Sequence, residues 1–188
     1  TIDKMVELSK QSRRDGLLSL QSVIDELEDP YLKKGMELIL DGTDEQALRN
    51  YMQTEIDMME ERHRAGALIF SQAGSYAPTL GVLGAVVGLI GALGDMEDME
   101  KLGYSIASAF VATLLGIFTG YVLWHPFANR LKRKSQEEVT HKTMILEGLI
   151  HIQRGSNPAL LRDKMIAFLP PNLREKMNEE KKEENTDA

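Results

Sequence analysis

Two long stretches without a charged side chain constrain the fold of this chain more than any other feature. Residues 65–94 and 102–129 contain no Asp, Glu, Lys or Arg. As a helix, about thirty residues would run roughly 45 Å, which exceeds the ~30 Å hydrocarbon core of a bilayer. The remaining segments are strongly charged and offer no core large enough to bury two such helices. The pattern therefore predicts two transmembrane helices.

The charges beside these stretches predict their orientation. Arg62 and Arg64 precede the first span, and residues 130–134, with sequence RLKRK, follow the second. The connection 95–101, with sequence DMEDMEK, is short and mostly acidic. Cytoplasmic loops carry an excess of Lys and Arg, so both outer flanks are expected in the cytoplasm and the acidic loop outside. The predicted fold is an all-α protein of the cytoplasmic membrane, a transmembrane helical hairpin with cytoplasmic helices on both sides.

Apolar residues at helical spacing predict further helices outside the spans. Residues 1–64 form one predicted cytoplasmic helical region, interrupted at Asp29-Pro30, with Thr43 as the N-cap of the helix that leads into the first span. Residues 130–173 form a second such region. Residues 174–188, rich in Lys, Glu and Asn, are predicted to be a disordered charged tail.

Small residues line one face of each predicted span. In lipid, helix association depends on such faces because they let two backbones approach closely. Two interpretations stay open, namely packing between these two helices and packing within a larger assembly. The residues are Gly81, Ala85, Gly88 and Ala92 in the first span, and Ser105, Ala109, Ala112, Gly116 and Gly120 in the second.

The spans hold no carboxylate, so this chain by itself offers no mid-membrane relay for a proton or a sodium ion. If ions cross here, a partner helix must supply the titrating group. Pro78 removes one backbone donor and frees the Gly74 carbonyl, which indicates either a simple kink or a hinge beside a hydrated path. His125, next to Pro126 and near the basic flank, is expected to be interfacial.

Signals for catalysis are missing from the sequence. There is no cysteine, the four histidines are scattered, and no phosphate-binding loop, zinc-protease motif or nucleophile elbow occurs. The sequence therefore predicts neither an enzyme nor a metal or cofactor site. The basic residues 130–134 favour a topology signal or a lipid headgroup contact over nucleic-acid binding.

Seven motifs in a specific order cover nearly the whole chain, and together they resemble the MotA/PomA family of flagellar motor stator subunits. They are SRRDGLLSL at 12–20, DPYLKKG at 29–35, DGT at 41–43, YAPTLG at 76–81, ATLLG at 112–116, WHPFANRL at 124–131 and GSNP at 155–158. That family has four spans, so the resemblance implies that this chain contains spans three and four and lacks the first two. The absence of an initiator Met agrees with an N-terminally truncated chain.

The resemblance also implies partners. It implies a pentamer around two copies of a MotB-type single-span subunit, which supplies the membrane Asp. Inward proton flow would then rotate the pentamer and produce torque on the rotor protein FliG.

Individual residues take roles from the same resemblance. Pro78, Ala85, Thr113 and Pro126 would line or couple the ion path, and Arg13, Gln21 and Glu55 would face the rotor. Gln21 stands where family members usually carry Glu. Ala85 stands where sodium-type relatives carry Thr, and because a methyl group cannot coordinate Na⁺, proton coupling is expected.

Three alternatives remain at this stage. The first is a proton-driven energiser of an envelope complex, of the ExbB/TolQ type, and the second is a sodium-coupled stator. The third is a non-conducting membrane scaffold. The 29–43 stretch and the Arg13 motif favour the motor over the energiser, since the energisers lack both.

Overall fold

A computed structural model describes residues 1–94 and 97–184, with side chains up to residue 177. The described residues are helical apart from short connections and contain no β-strand. The helices are α1 (Ile2–Asp15), α2 (Gln21–Ile24), α3 (Pro30–Leu40), α4 (Glu45–Leu93), α5 (Met99–Phe118), α6 (His125–Gln153), α7 (Pro158–Ile166) and α8 (Pro171–Glu184). A 3-10 turn (Leu17–Leu20) precedes α2, and a π-helical segment (Thr119–Trp124) joins α5 to α6.

The chain divides into two compact units. Unit 1 comprises residues 1–58 together with the chain from residue 137 onward, and unit 2 comprises Met59–Gln136. Helices α4 and α6 contribute to both units because each is long and unbroken across the boundary.

Unit 1 has a buried apolar core built from the helical stripes that the sequence predicts. Leu8 of α1, Leu20, Met36 of α3, Met52 of α4 and Leu149 of α6 are all fully buried. Burying a Leu or Met side chain contributes about 1.5–3 kcal/mol relative to leaving it exposed, so this core dominates the stability of the unit. Tyr31 adds a specific contact, because its hydroxyl donates to the Met52 carbonyl oxygen at 3.0 Å.

Capping residues fix where the helices of unit 1 begin. The Asp29 side chain accepts hydrogen bonds from the backbone N–H groups of Tyr31 and Leu32, and Pro30 occupies the first helical position. The prediction of a break at Asp29-Pro30 is confirmed. Thr43 as the next N-cap is wrong, because Asp44 accepts from the N–H groups of residues 46 and 47 at 3.0 Å and the helix begins one residue later.

A carboxylate-centred network ties three helices of unit 1 together. Glu147 of α6 pairs with Arg49 of α4 at 2.7 Å and with Lys164 of α7 at 2.8 Å. Burial raises the pKa of Glu147, but the hydrogen bonds from Lys164 and Arg49 outweigh it and hold that pKa below its ordinary value. Nearby, Arg154 donates to both carboxylate oxygens of Glu45, at 2.6 and 2.5 Å.

His151 lies buried beside this network. Neither ring nitrogen has a hydrogen-bond partner among the described residues. Burial lowers the pKa of His151 most, and the positive charges of Lys164 and Arg154 lower it further, against the opposing effect of Glu147 and Glu45. The imidazole is therefore held in its neutral form in the folded protein near pH 7.

This neutral histidine predicts a specific pH dependence of stability. The unfolded chain takes up a proton as pH falls below about 6.5, whereas folded His151 takes it up only at lower pH. The free energy of unfolding should therefore fall as pH drops below about 6.5, by at most roughly 1.4 kcal/mol for each unit of pKa difference between the two states. The midpoint of thermal unfolding should fall with it. A pH series on wild type and His151→Leu measures this, with His141→Leu as the matched control on the same helix.

Loss of the acid-dependent decrease in His151→Leu alone is the expected result. An equal acid-dependent decrease in His151→Leu and in wild type would contradict the prediction.

The charged C-terminal segment differs from the prediction of a disordered tail. Helix α8 runs from Pro171 to Glu184, and residues 185–188 lie outside the described residues. A proline at the first helical position and a run of Glu and Lys, which are good helix formers, favour a helix here despite the scarcity of apolar side chains. Arg174 also donates to the carbonyl oxygens of Ala167 and Leu169, which holds the start of α8 against the preceding turn.

Candidate ion-path and coupling site

The helices of unit 2 carry apolar side chains that face outward. Two helical stretches, within Glu45–Leu93 and Met99–Gln153, are long and apolar enough to cross a membrane. Only 6% and 17% of their most apolar windows are buried within the protein, whereas the core helix of a soluble protein is mostly buried. A large exposed apolar surface of this kind fits contact with lipid or with other membrane helices.

Small residues bring α4 and α5 into backbone contact. A Cβ added to Gly116 would lie 2.6 Å from the Ala77 carbonyl oxygen, and one added to Gly81 would lie 2.8 Å from the Ala112 carbonyl oxygen. Further along, a Cβ at Gly88 would be 3.9 Å from the Ala109 side chain, so the helices run antiparallel. Of the two interpretations left open, packing between these two helices through their small faces is therefore present in the structure, and packing within a larger assembly stays a prediction.

Pro78 lies at the tightest part of this contact. Its missing N–H leaves the Gly74 carbonyl without the usual helical donor. A Cβ added to Gly120 would lie 2.8 Å from that carbonyl oxygen and 2.9 Å from the Pro78 ring. Only glycine at position 120 therefore permits the freed carbonyl and the proline ring to approach the second helix.

Pro126 accounts for the π-helical segment. The N–H of His125 donates to the carbonyl oxygen of Gly120, five residues back, rather than four. Since Pro126 has no N–H and its ring excludes the carbonyl of Val122 from normal helical geometry, the preceding turn widens. The two prolines thus disturb the hydrogen-bond ladder on both helices of the pair, and the disturbed stretches meet where Gly120 approaches Gly74.

His125 also contacts the freed backbone. Its ring atoms would lie 3.0 Å from a Cβ at Gly74, and its ring centroid is 5.4 Å from that of Tyr121. The interfacial position predicted for His125 does not include this contact. Two sequence features could have indicated it: Gly74 lies four residues before Pro78, and His125 directly precedes Pro126.

The other two predicted ion-path residues lie on the same helix pair. Ala85 is half-buried on α4, one turn beyond Gly81. Thr113 is half-buried on α5, and its Cα lies 3.3 Å from a Cβ built at Gly81. The Thr113 hydroxyl donates to the Ala109 carbonyl at 3.2 Å. The structure therefore brings Pro78 and Thr113 to one interface, while Pro126 is exposed.

The three predicted rotor residues all lie in unit 1. Arg13 is exposed near the end of α1, and within the described part of the chain no hydrogen bond or ion pair involves it. Gln21 is exposed at the rim of a groove with an acidic wall formed by Asp25, Glu37 and Asp41. Glu55 is half-buried and pairs with Lys142 at 3.5 Å, so its charge is already engaged within the unit.

Comparisons with known proteins agree with this architecture. Residues 23–144 match the model of the MotA/TolQ/ExbB proton channel family. Motility protein A of Bacillus subtilis is 48% identical over 98% of this chain and 72% of its own length, and that of Borreliella burgdorferi is 39% identical over 93% and 67%.

Solved structures give the same result. The flagellar MotAB stator complex from Bacillus subtilis matches with a TM-score of 0.86 and 49% identity over 94% of this chain and 69% of that one. The C. jejuni MotAB structure matches with a TM-score of 0.86 and 34% identity over 90% and 67%. The chain therefore belongs to the MotA/TolQ/ExbB proton channel family, in its motility protein A group of flagellar motor stator subunits.

Proposed function

We propose that this stator subunit couples inward proton flow across the cytoplasmic membrane to torque on the flagellar rotor. The observation that carries the proposal is the match of 94% of the chain to a MotAB stator complex with a TM-score of 0.86. The energiser alternative is not favoured, because proteins named Motility protein A match this chain over more than nine tenths of its length.

The proposed topology follows from charge and exposure. In this proposal, residues 65–94 and 102–129 cross the membrane as spans three and four of the four-span family, and the basic flanks favour a cytoplasmic side for the regions outside the spans. The outward apolar side chains of α4 and α5 then face lipid and neighbouring helices. The acidic connection 95–101 lies on the outer side, although residues 95 and 96 are outside the described residues.

The proposed partner is a MotB-type single-span subunit, because the relatives of known structure are MotAB complexes. Its membrane Asp supplies the carboxylate that both spans lack, since a proton relay at mid-membrane requires such a group. Five copies of this chain around two partner helices complete the proposed assembly, with Thr113 and Ala85 facing the path.

The prolines supply the proposed coupling. A carbonyl freed by Pro78 and a widened turn before Pro126 give each helix of the pair a place where the backbone hydrogen bonds are already incomplete. Movement there breaks fewer bonds than bending an intact helix. Arg13, Gln21 and Glu55 then transmit the movement as contacts with FliG. Arg13 is exposed and has no ion pair among the described residues, so its positive charge is available for such a contact.

Ion dependence tests the proposed function directly. In a deletion strain complemented with the gene, swimming should stop when a protonophore collapses the proton gradient and should persist when sodium is replaced by potassium. Ala85 is the reason, because its methyl group offers Na⁺ no oxygen ligand. Siderophore uptake in the deletion strain serves as the control and should stay normal.

Swimming that depends on sodium alone would contradict the proton assignment. Normal swimming in the deletion strain together with lost siderophore uptake would favour the energiser.

A further inference from the structure

A small cleft opens in unit 2 at the end of the apolar stretches. It has a volume of about 210 Å³ and lies between α4 and α6. Its floor is the buried methyl group of Ala67. The other residues that line it are Glu60, His63, Arg64, Lys132, Ser135 and Gln136.

The electrostatics of the cleft favour an anion. Arg64 and Lys132 line the cleft from different helices, and Glu60 is the one carboxylate among its lining residues. Within the described part of the chain no ion pair involves Lys132, while Arg64 pairs with Glu61, which does not line the cleft. An arginine and a lysine converging on one space suit the several acceptor oxygens of a phosphate group.

A hydrogen bond across the cleft holds its two walls together. His63 Nδ1 and Ser135 Oγ lie 3.2 Å apart, one on each helix. This contact fixes the spacing of Arg64 and Lys132, because each lies within three residues of one of its ends. The cleft is therefore a formed feature of the helix pair.

The position along the helices indicates where such an anion comes from. Arg64 directly precedes the apolar stretch 65–94, and Lys132 lies three residues after the end of 102–129. Basic side chains at this depth extend toward the headgroup layer of a membrane. An apolar floor on the span side and a cationic rim on the other match a phospholipid whose chains lie along the helices.

We propose that this cleft binds a phosphate group, supplied by the headgroup of an anionic phospholipid such as phosphatidylglycerol. The inference rests on the membrane topology in the proposed function but requires neither ion flow nor rotation. Arg64 and Lys132 bind the phosphate oxygens, and the His63–Ser135 contact positions them. Bound lipid would join α4 to α6 at the cytoplasmic boundary of the spans.

Lipid titration of the full-length protein, purified with its single-span partner, tests this by native mass spectrometry. Arg64→Gln and Lys132→Gln should each weaken phosphatidylglycerol binding about fivefold, and the double variant roughly 25-fold. Arg62→Gln and Lys134→Gln are matched controls. Each lies two residues from its counterpart, about 200° around the helix, and lines no part of the cleft. Their effect should be less than about twofold.

Further arms identify the source of the phosphate and guard against misfolding. Displacement of lipid by low millimolar inorganic phosphate would support the site and assign it to free phosphate. Failure of inorganic phosphate to compete supports the lipid source. Arg64→Lys and Lys132→Arg should keep binding within about threefold of wild type.

Three results would overturn the proposal. They are unchanged affinity in the double variant, equal loss in the two controls, and loss of binding in charge-preserving variants that still assemble. Lipid affinity is measured on the purified protein and does not depend on ion flow. If the chain proved not to be a motor subunit, the lipid titration would still show whether the cleft binds phosphate.

Discussion

Gly116→Val is expected to reduce the yield of assembled stator complex more than tenfold. A Cβ at this position meets the Ala77 carbonyl oxygen at 2.6 Å and the Gly81 Cα at 2.9 Å. Both are backbone atoms, so α4 and α5 must move apart at this point to admit the side chain. Overpacking destabilises a protein by about 1–3 kcal/mol where side chains can adjust. Because backbone atoms adjust less than side chains, we expect this substitution to cost about 3 kcal/mol or more.

The measurement is the amount of this chain that copurifies with a tagged single-span partner, together with the thermal midpoint of the complex. Gly103→Val is the matched control, because a Cβ at Gly103 has no heavy atom within 4 Å and also lies in α5. It should leave the yield within about twofold of wild type. Equal yields from the Gly116 and Gly103 variants would show that the close backbone contact does not hold the pair together.

Pro78→Ala is expected to abolish swimming while leaving assembly intact. Alanine restores an N–H that can donate to the Gly74 carbonyl, and it removes the ring that lies against Gly120. Proline in a helix interior costs about 3 kcal/mol relative to alanine, so the substitution should stabilise α4 rather than weaken it. Loss of motion in a more stable protein would locate the function in the incomplete hydrogen-bond ladder.

Swimming speed and complex yield are measured in parallel for this variant. Thr79→Ala is the control, since the Thr79 side chain is exposed and its hydroxyl donates only to the Tyr76 carbonyl of its own helix. It should keep near-normal speed. Normal swimming in Pro78→Ala would instead support the scaffold hypothesis, in which the kink has no mechanical role.

The helices and their interface were predictable because the responsible signals are local. Charge-free stretches, the Asp29-Pro30 break and the small-residue stripes each follow from spacing along one helix. The Thr43 cap failed because a neighbouring Asp competes for the same N–H groups, and sequence alone did not decide between adjacent capping residues. The prediction of a disordered tail failed because it rested on the scarcity of apolar residues, which indicates that the segment forms no core. It did not consider the intrinsic helix propensity of Glu and Lys.

The fine structure of the candidate site depends on contacts between helices, which spacing does not reveal. Gly120 lies close to the Gly74 carbonyl, and the His125 ring lies close to Gly74. To predict either contact, one must know how α4 is aligned along α5. Likewise, the pairing of Glu55 with Lys142 joins residues 87 positions apart. The roles of Pro78, Ala85, Thr113, Pro126, Arg13, Gln21 and Glu55 remain predictions from the resemblance.

The wide turn at Thr119–Trp124 has a consequence for every side chain that follows it. One extra residue per turn shifts the angular phase of a helix by about 100°. Within unit 2, the outward and inward faces of residues 125–136 therefore do not continue those of Met99–Phe118. A helical wheel that ignores this extra residue would misplace Lys132 and Ser135 by about 100° relative to Met99–Phe118.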